Sequence, residues 1–181
     1  MSYADLLHLA GEQHGYFTTR QAAAHGLSRR ALLHRARIGE LRHAAHGLWR
    51  LSMWPAGPND ELHALQVIAP FGTFSHETAL ALLGLGDFIP SEIHMTIPES
   101  SRMAPRPGLR LHRSRHGAER ERILRDDLWI SPPARALIDA ARAGADPDQL
   151  REAAREARQR GLLGSADLTA LRADPLFASV L

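Results

Sequence analysis

Three basic side chains recur at a spacing that places them on one face of a short helix. Arg30, His34 and Arg37 stand at positions i, i+4 and i+7, while Leu32 and Ala36 fall on another side. An arginine can pair with guanine O6 and N7 through two hydrogen bonds, and other basic side chains can hold phosphates. The spacing therefore predicts a helix that packs on one face and contacts a nucleic acid with the other.

The start and stop signals around this helix predict a helix-turn-helix. Thr18 is a good N-cap with Gln21 at the capping-box distance, and Gly26 is a natural end for the short helix between them. Ser28 offers a second N-cap for a helix over residues 29–38. Two short helices joined by a tight turn that contains glycine are typical of the helix-turn-helix.

The residues that follow predict a wing. Strands are expected at 41–44 and 48–51, and Gly47 suits the positive φ of the turn between them. Residues 16–17 predict a short strand that pairs with this hairpin. Alternation in the second wing strand predicts one packed face and one wet face.

The predicted DNA contacts come from the two helices and the wing. Side chains in the first turns of a recognition helix reach base edges in the major groove. Wing side chains reach a flanking phosphate or the minor groove. The candidate DNA-binding residues are Thr18, Thr19, Arg20, Ser28, Arg29, Arg30, His34, Arg37, Arg42, His46 and Arg50.

Composition excludes several classes of protein. The chain of 181 residues is 44% hydrophobic and 23% charged, so it can form a core and is not intrinsically disordered. It has no cysteine, which excludes disulfides and thiolate metal sites and agrees with a cytoplasmic protein. All 22 basic residues are arginine, so no lysine is available to a nuclease or phosphate-loop site. We expect neither a transmembrane helix nor a signal peptide.

A second basic segment lies further along the chain. Residues 102–125 contain eight arginines and two acidic residues, whereas residues 55–101 contain no arginine and six acidic residues. This separation predicts distinct charged surfaces. Two interpretations stay open: protection of an exposed strand edge, or a second contact with DNA or an RNA-like partner. The residues of this possible second anionic surface are Arg102, Arg106, Arg110, His112, Arg113 and Arg115.

The predicted fold class is α+β, with an N-terminal winged helix-turn-helix followed by a mixed α/β C-terminal domain. The DNA-binding domain is expected at residues 1–52, a linker at 53–58 and the α/β domain at 59–181. Alternating hydrophobicity within the second domain predicts half-buried strands at 92–97 and 109–113.

The histidines and acids predict no catalytic or metal site. None of the eleven histidines forms an HExxH motif, and the pair His76-Glu77 favours packing over catalysis. His94 and His112 fall on outward strand positions, where the absence of a carboxylate predicts a surface rather than a site. We therefore expect no catalytic residue, no metal, no cofactor and no enzyme activity.

Four segments resemble one known family. They are GYFTTRQAAAHGLSRRALLHRARIGELRHAAHGLWRL at 15–51, SHETALALLGLGDFIPSEIHMTIP at 75–98, GLRLHRSR at 108–115 and WISPPARALIDAA at 129–141. The chain, most clearly over residues 1–115, resembles the AbiEi-type antitoxin and transcriptional-regulator family of type IV toxin–antitoxin systems. The resemblance implies a winged helix-turn-helix, a separate α/β antitoxin domain, and an autorepressor whose gene adjoins that of a nucleotidyltransferase-like toxin.

The function predicted from these observations is that of a bacterial DNA-binding repressor that is also an antitoxin. Its expected partners are double-stranded DNA, at operator repeats upstream of its own gene, and a nucleotidyltransferase-like toxin whose direct contact is not implied. Two alternatives stay open. One is a DNA-acting enzyme with a diverged nuclease-like second domain, and the other is a ligand-sensing repressor, which would need a concave apolar pocket.

Overall fold

The protein is an α+β chain of two compact units, residues 1–70 and 71–181. The computed structural model describes residues 3–115 and 121–181. No helix within these described ranges combines the length and apolar character needed to cross a membrane. The α+β fold class predicted from the sequence is confirmed, and each unit is treated separately below.

The first unit is a three-stranded antiparallel sheet with helices packed on it. The strand order is β1-β3-β2, so the short strand predicted at residues 16–17 does pair with the wing hairpin. The elements are α1 (Tyr3–Glu12), β1 (Tyr16–Thr18), α2 (Thr19–Ala24), α3 (Arg29–Arg37), β2 (Leu41–Ala45), β3 (Leu48–Leu51) and α4 (Asp60–Ile68).

Side-chain caps fix where the two central helices begin. The Thr18 hydroxyl accepts a hydrogen bond from the backbone N–H of Gln21 at 3.1 Å, and Gln21 Oε1 accepts one from the backbone N–H of Thr18 at 2.7 Å. Ser28 Oγ accepts from the backbone N–H of Ala31 at 3.2 Å. These bonds satisfy amides that have no partner inside a helix, so the predicted caps are confirmed.

A close approach of backbone to an aromatic ring holds Trp54 against the core of the first unit. Gly15 has φ +83°, and a Cβ atom there would lie 2.5 Å from Cβ of Trp54. Trp54 packs against the cluster that contains Leu6 and Phe17. The following helix α4 also belongs to this unit, whereas the sequence had placed it in the second domain.

The second unit is a five-stranded mixed sheet with helices. Its strand order is β6-β5-β4-β8-β7; β5 runs parallel to β6, and β4 parallel to β8. The elements are β4 (Thr73–Phe74), α5 (His76–Leu83), β5 (Ile93–Pro98), β6 (Leu109–Ser114), β7 (Ile123–Arg125), β8 (Leu128–Ile130), α6 (Pro133–Arg142), α7 (Pro147–Gln159), α8 (Ser165–Arg172) and α9 (Pro175–Ala178).

The register of β5 and β6 brings distant polar residues together. His94 pairs with Arg110 and Thr96 pairs with His112, because the two strands run parallel and in step. The opposite face contributes the fully buried Met95 to the core. Successive side chains of a strand point to opposite faces, so one face of this strand pair is apolar and the other carries histidine, threonine and arginine.

Candidate nucleic-acid interface

The face predicted to read DNA is exposed on α3. Arg30, His34 and Arg37 are all exposed, whereas Leu32 is fully buried against the helices and sheet of the first unit. Arg29, at the start of the helix, is exposed as well. The apolar and basic sides predicted from the spacing are therefore separated as expected.

An exposed leucine adds an apolar element to this basic face. Leu33 is 46% exposed, and it lies three residues after Arg30 and four before Arg37. A leucine in this position can contact a thymine methyl group in the major groove. The sequence prediction omitted Leu33, although its helical spacing from Arg30 could have indicated it.

The other end of α3 is fixed to the body of the unit. Arg35 lies over the ring of Tyr3, with its guanidinium carbon 3.4 Å from the ring centroid, and Arg35 Nη1 donates to Glu40 Oε2 at 2.5 Å. Burial raises the pKa of the Tyr3 hydroxyl, which also donates to Glu40 at 3.3 Å. These contacts fix the rotation of α3 about its axis and so direct its basic face outward.

The wing presents two of its three predicted basic side chains. His46 and Gly47 form the turn of the hairpin, since Ala45 pairs with Leu48, and Gly47 has the predicted positive φ, +71°. Arg42 and His46 are exposed. Both can therefore reach a phosphate or the minor groove beside the recognition helix.

The assignment of Arg50 to the DNA surface is wrong. Arg50 is only 6% exposed, and its Nη2 donates to Asp60 Oδ1 at 2.7 Å and to the carbonyl oxygen of Pro55 at 2.9 Å. Its guanidinium carbon also lies 4.9 Å from the centroid of the Tyr16 ring. Both faces of β3 are covered, so the alternation that predicted a wet face does not hold in this strand.

Three predicted hydroxyl contacts are already used within the protein. Thr18 and Ser28 cap helices, as described above. Thr19 Oγ1 accepts a hydrogen bond from Trp49 Nε1 at 2.9 Å, which joins the start of α2 to the wing. These side chains therefore help to position the motif, and Arg20 on α2 is exposed.

Part of the second basic segment is engaged in local contacts. Arg113 donates to the backbone carbonyls of Glu99, Ser101 and Met103 and so holds the loop after β5. Arg115 Nε donates to Glu99 Oε2 at 3.1 Å. These two arginines therefore stabilise the loop, and residues 116–120 of the segment lie outside the described residues.

The other three arginines of the possible second anionic surface are exposed. Arg102 and Arg106 lie in the loop before β6, and Arg110 lies in that strand, with its Nε 4.0 Å from Glu92 Oε2. The distance is long and both side chains are exposed, so this pair leaves the guanidinium accessible. These three arginines form the accessible part of the possible second anionic surface.

The inclusion of His112 in a cationic surface is wrong. Burial, followed by the neighbouring His94 and Arg110, lowers the pKa of His112 to about 4, so its ring is neutral at physiological pH. His94 was predicted to point outward, yet it is 5% exposed, and Glu77 supplies a carboxylate oxygen 3.7 Å from its Nε2. The histidines of β5 and β6 thus belong to one cluster, in which His94 is buried and His112 is half-buried.

The first unit is a winged helix-turn-helix, and the second is a mixed α/β domain. The family described as "Transcriptional regulator, AbiEi antitoxin" matches residues 4–52, and this match confirms the resemblance predicted from the sequence. The structure is similar to the crystal structure of the RV2827C protein from Mycobacterium tuberculosis. The TM-score is 0.50 and the identity 16%, over 96% of this chain and 79% of the other. That likeness concerns the fold alone. No curated protein matches the chain.

Proposed function

We propose that the protein binds operator DNA upstream of its own gene and represses transcription. The observation that carries this proposal is the exposed basic face of α3, with Arg30, His34 and Arg37 turned away from the buried Leu32. Arg42 and His46 of the wing add positive charge beside a helix that fits the major groove. One such unit covers a single half-site, so the operator is expected to contain a direct or inverted repeat.

The same protein acts as the antitoxin of a type IV toxin–antitoxin system in this proposal. The matched family consists of antitoxin transcriptional regulators, which supports this role. A type IV antitoxin counters its toxin without needing to bind it, so the partner is a nucleotidyltransferase-like toxin with no direct contact implied. Operator binding belongs to the first unit, and we assign neutralisation to the second.

Two other functions remain less well supported. A nuclease of the carboxylate type needs clustered acids, whereas the metal-ligating group found among residues 3–115 and 121–181 consists of histidines. A repressor that senses an apolar ligand needs an apolar pocket. The cavity in the second unit is instead lined by residues such as His76, Arg110 and Arg135.

A co-expression experiment separates the two parts of the proposal. The wild-type protein should repress a reporter that is driven by the upstream region of the gene. The Arg30→Ala protein should leave that reporter expressed. Growth inhibition by the adjacent nucleotidyltransferase-like gene should be relieved by both proteins, because Arg30 lies in the first unit only. Full repression by Arg30→Ala would overturn the assignment of the recognition face, and failure of the wild-type protein to relieve inhibition would overturn the antitoxin role.

A further inference from the structure

Three histidines from three elements meet in the second unit. His76 is the first residue of α5, His94 lies in β5 and His112 lies in the neighbouring strand β6. Nε2 of His112 is 3.2 Å from Nδ1 of His94, and the rings of His76 and His112 stack with centroids 3.6 Å apart. One ring nitrogen from each residue lies within 4.8 Å of the other two.

The backbone holds His76 in an unusual conformation toward this cluster. Its φ of +53° lies in the left-handed region, which residues other than glycine rarely adopt. Ser75 Oγ lies 2.9 Å from His76 Nδ1 and accepts a hydrogen bond from Thr96 Oγ1 at 2.8 Å. The ring is thus oriented by a polar network that leaves its Nε2 available.

Oxygen atoms lie beside the outer nitrogens of two of the rings. Ser75 occupies Nδ1 of His76, and the Glu77 carboxylate lies 3.7 Å from Nε2 of His94. A metal-binding histidine usually donates its second ring N–H to an oxygen acceptor, which fixes the tautomer and the orientation of the ring. For His94 that other nitrogen is Nδ1, which faces His112.

We propose that His76, His94 and His112 bind one zinc-class transition-metal ion. Tetrahedral zinc with nitrogen ligands at about 2.0–2.1 Å places those nitrogens roughly 3.3 Å apart, close to the 3.2 Å found between His94 and His112. The planes of the His76 and His112 rings lie within 17° of parallel, so one ring must turn before both can bind the same ion. Three imidazoles favour zinc, copper or nickel over calcium or magnesium, which prefer oxygen ligands.

The fourth position of such an ion would open to a cavity of about 480 Å³. His76 and His112 line this cavity together with Arg110, Arg135 and Arg142. Three histidine ligands with an open fourth position are typical of zinc sites that bind a water molecule or an exogenous ligand. The surrounding arginines make an anion, such as inorganic phosphate, the class of ligand that fits there.

The direct test is a metal titration of the untagged full-length protein after chelator treatment. Zinc should bind at one ion per chain, and cobalt(II) should give the intense visible absorption of a tetrahedral site. His94→Gln and His112→Gln should each weaken zinc binding at least about 100-fold, and Glu77→Gln should weaken it about 10–100-fold through the orientation of His94. His8→Gln, which alters an exposed histidine outside the cluster, should bind zinc normally.

Two results would overturn this site. One is wild-type protein that binds no stoichiometric zinc and gives no tetrahedral cobalt spectrum, a result that needs no variant to fold. The other is a folded His112→Gln protein that binds zinc as tightly as wild type. Neither result bears on operator binding, because the three histidines lie in the second unit and the recognition helix lies in the first.

Discussion

Arg50 Nη2 lies 2.7 Å from Asp60 Oδ1, which ties the inner strand of the wing to the first turn of α4. The Tyr16 hydroxyl donates to the other carboxylate oxygen of Asp60 at 2.9 Å. Both the strand and the helix therefore depend on one carboxylate for their relative position. The first unit therefore extends beyond the winged motif, because the helix that these bonds attach, α4, begins only at residue 60.

Loss of the Arg50 side chain should destabilise the first unit. Arg50→Ala leaves Asp60 without its cation. Breaking a fully buried ion pair costs about 3–5 kcal/mol, and because Asp60 keeps some solvent contact, we expect the free energy of unfolding to fall by only about 2–3 kcal/mol. Arg42 pairs directly with Arg50 across the hairpin but is exposed, so Arg42→Ala is the matched control.

Denaturant unfolding and DNA titration of both variants check this prediction. Arg42→Ala should change stability by no more than about 0.5 kcal/mol, as exposed sites do, while it weakens binding to all DNA sequences. Equal loss of stability in the two variants would contradict the assignment of Arg50 to a structural role.

Substitutions on the recognition face should reduce sequence discrimination. Arg30→Ala and His34→Ala should each lower the preference for operator over random duplex by about 1–3 kcal/mol if they contact bases. Arg155→Ala removes the same charge from an exposed site on α7 and should leave this preference unchanged. Parallel titrations with operator and random DNA measure the difference, and an equal loss on both DNAs would show that the face is wrongly placed.

The accessible part of the second basic segment should act separately from the winged unit. Arg106→Ser combined with Arg110→Ser should reduce toxin neutralisation while leaving repression intact, if this surface binds an anionic partner. Arg113 is left unchanged, because its loss would release the loop carbonyls at residues 99–103. Neutralisation and melting temperature that both stay at wild-type values would support simple protection of the edge strand β6.

On acidification, the second unit should begin to lose stability at a higher pH than a domain in which only carboxylates titrate. His76 and His112 have folded-state pKa values of about 3 and 4, below the value of about 6.5 in the unfolded chain. The unfolded state therefore binds more protons between about pH 4 and 6.5, and the free energy of unfolding should fall as pH decreases through that range. Burial is the main cause of both low pKa values, and the charged and titratable groups that add to it or oppose it are His94, Arg110, Arg135 and Asp139.

Unfolding measured at several pH values, in the presence of a chelator, tests this dependence. His112→Gln should flatten the slope between pH 6.5 and 4, because one titrating group is removed. A slope that His112→Gln does not alter would mean that the histidine cluster does not contribute to acid sensitivity.

Local signals predicted most of the first unit. The caps at Thr18 and Ser28 act within three residues, and the helical period of Arg30 and His34 needs no tertiary information. Arg50 was misplaced because strand alternation cannot reveal that a later helix, α4, covers its outward face. The error therefore came from tertiary packing rather than from the local pattern.

The histidine cluster could not be predicted from spacing alone. His76, His94 and His112 follow one another at intervals of 18 residues, and nothing local to any of them indicates a shared site. They meet only because β6 pairs with β5 in parallel and in step, and because α5 begins beside that strand pair with a left-handed residue. Register and backbone conformation are set by the folded sheet. The alternation of residues along each strand therefore predicted surface positions for His94 and His112 and could not indicate a cluster.

The central claim is specific binding of the winged unit to DNA upstream of its own gene, and footprinting with a salt titration tests it most directly. We predict protection of a repeated site, with log K falling by about 0.9 for each neutralised phosphate per tenfold rise in salt. Arg30→Ala should abolish the footprint while retaining weak binding that depends on salt. Equal affinity for the upstream region and for random duplexes, with no protected repeat, would contradict the account.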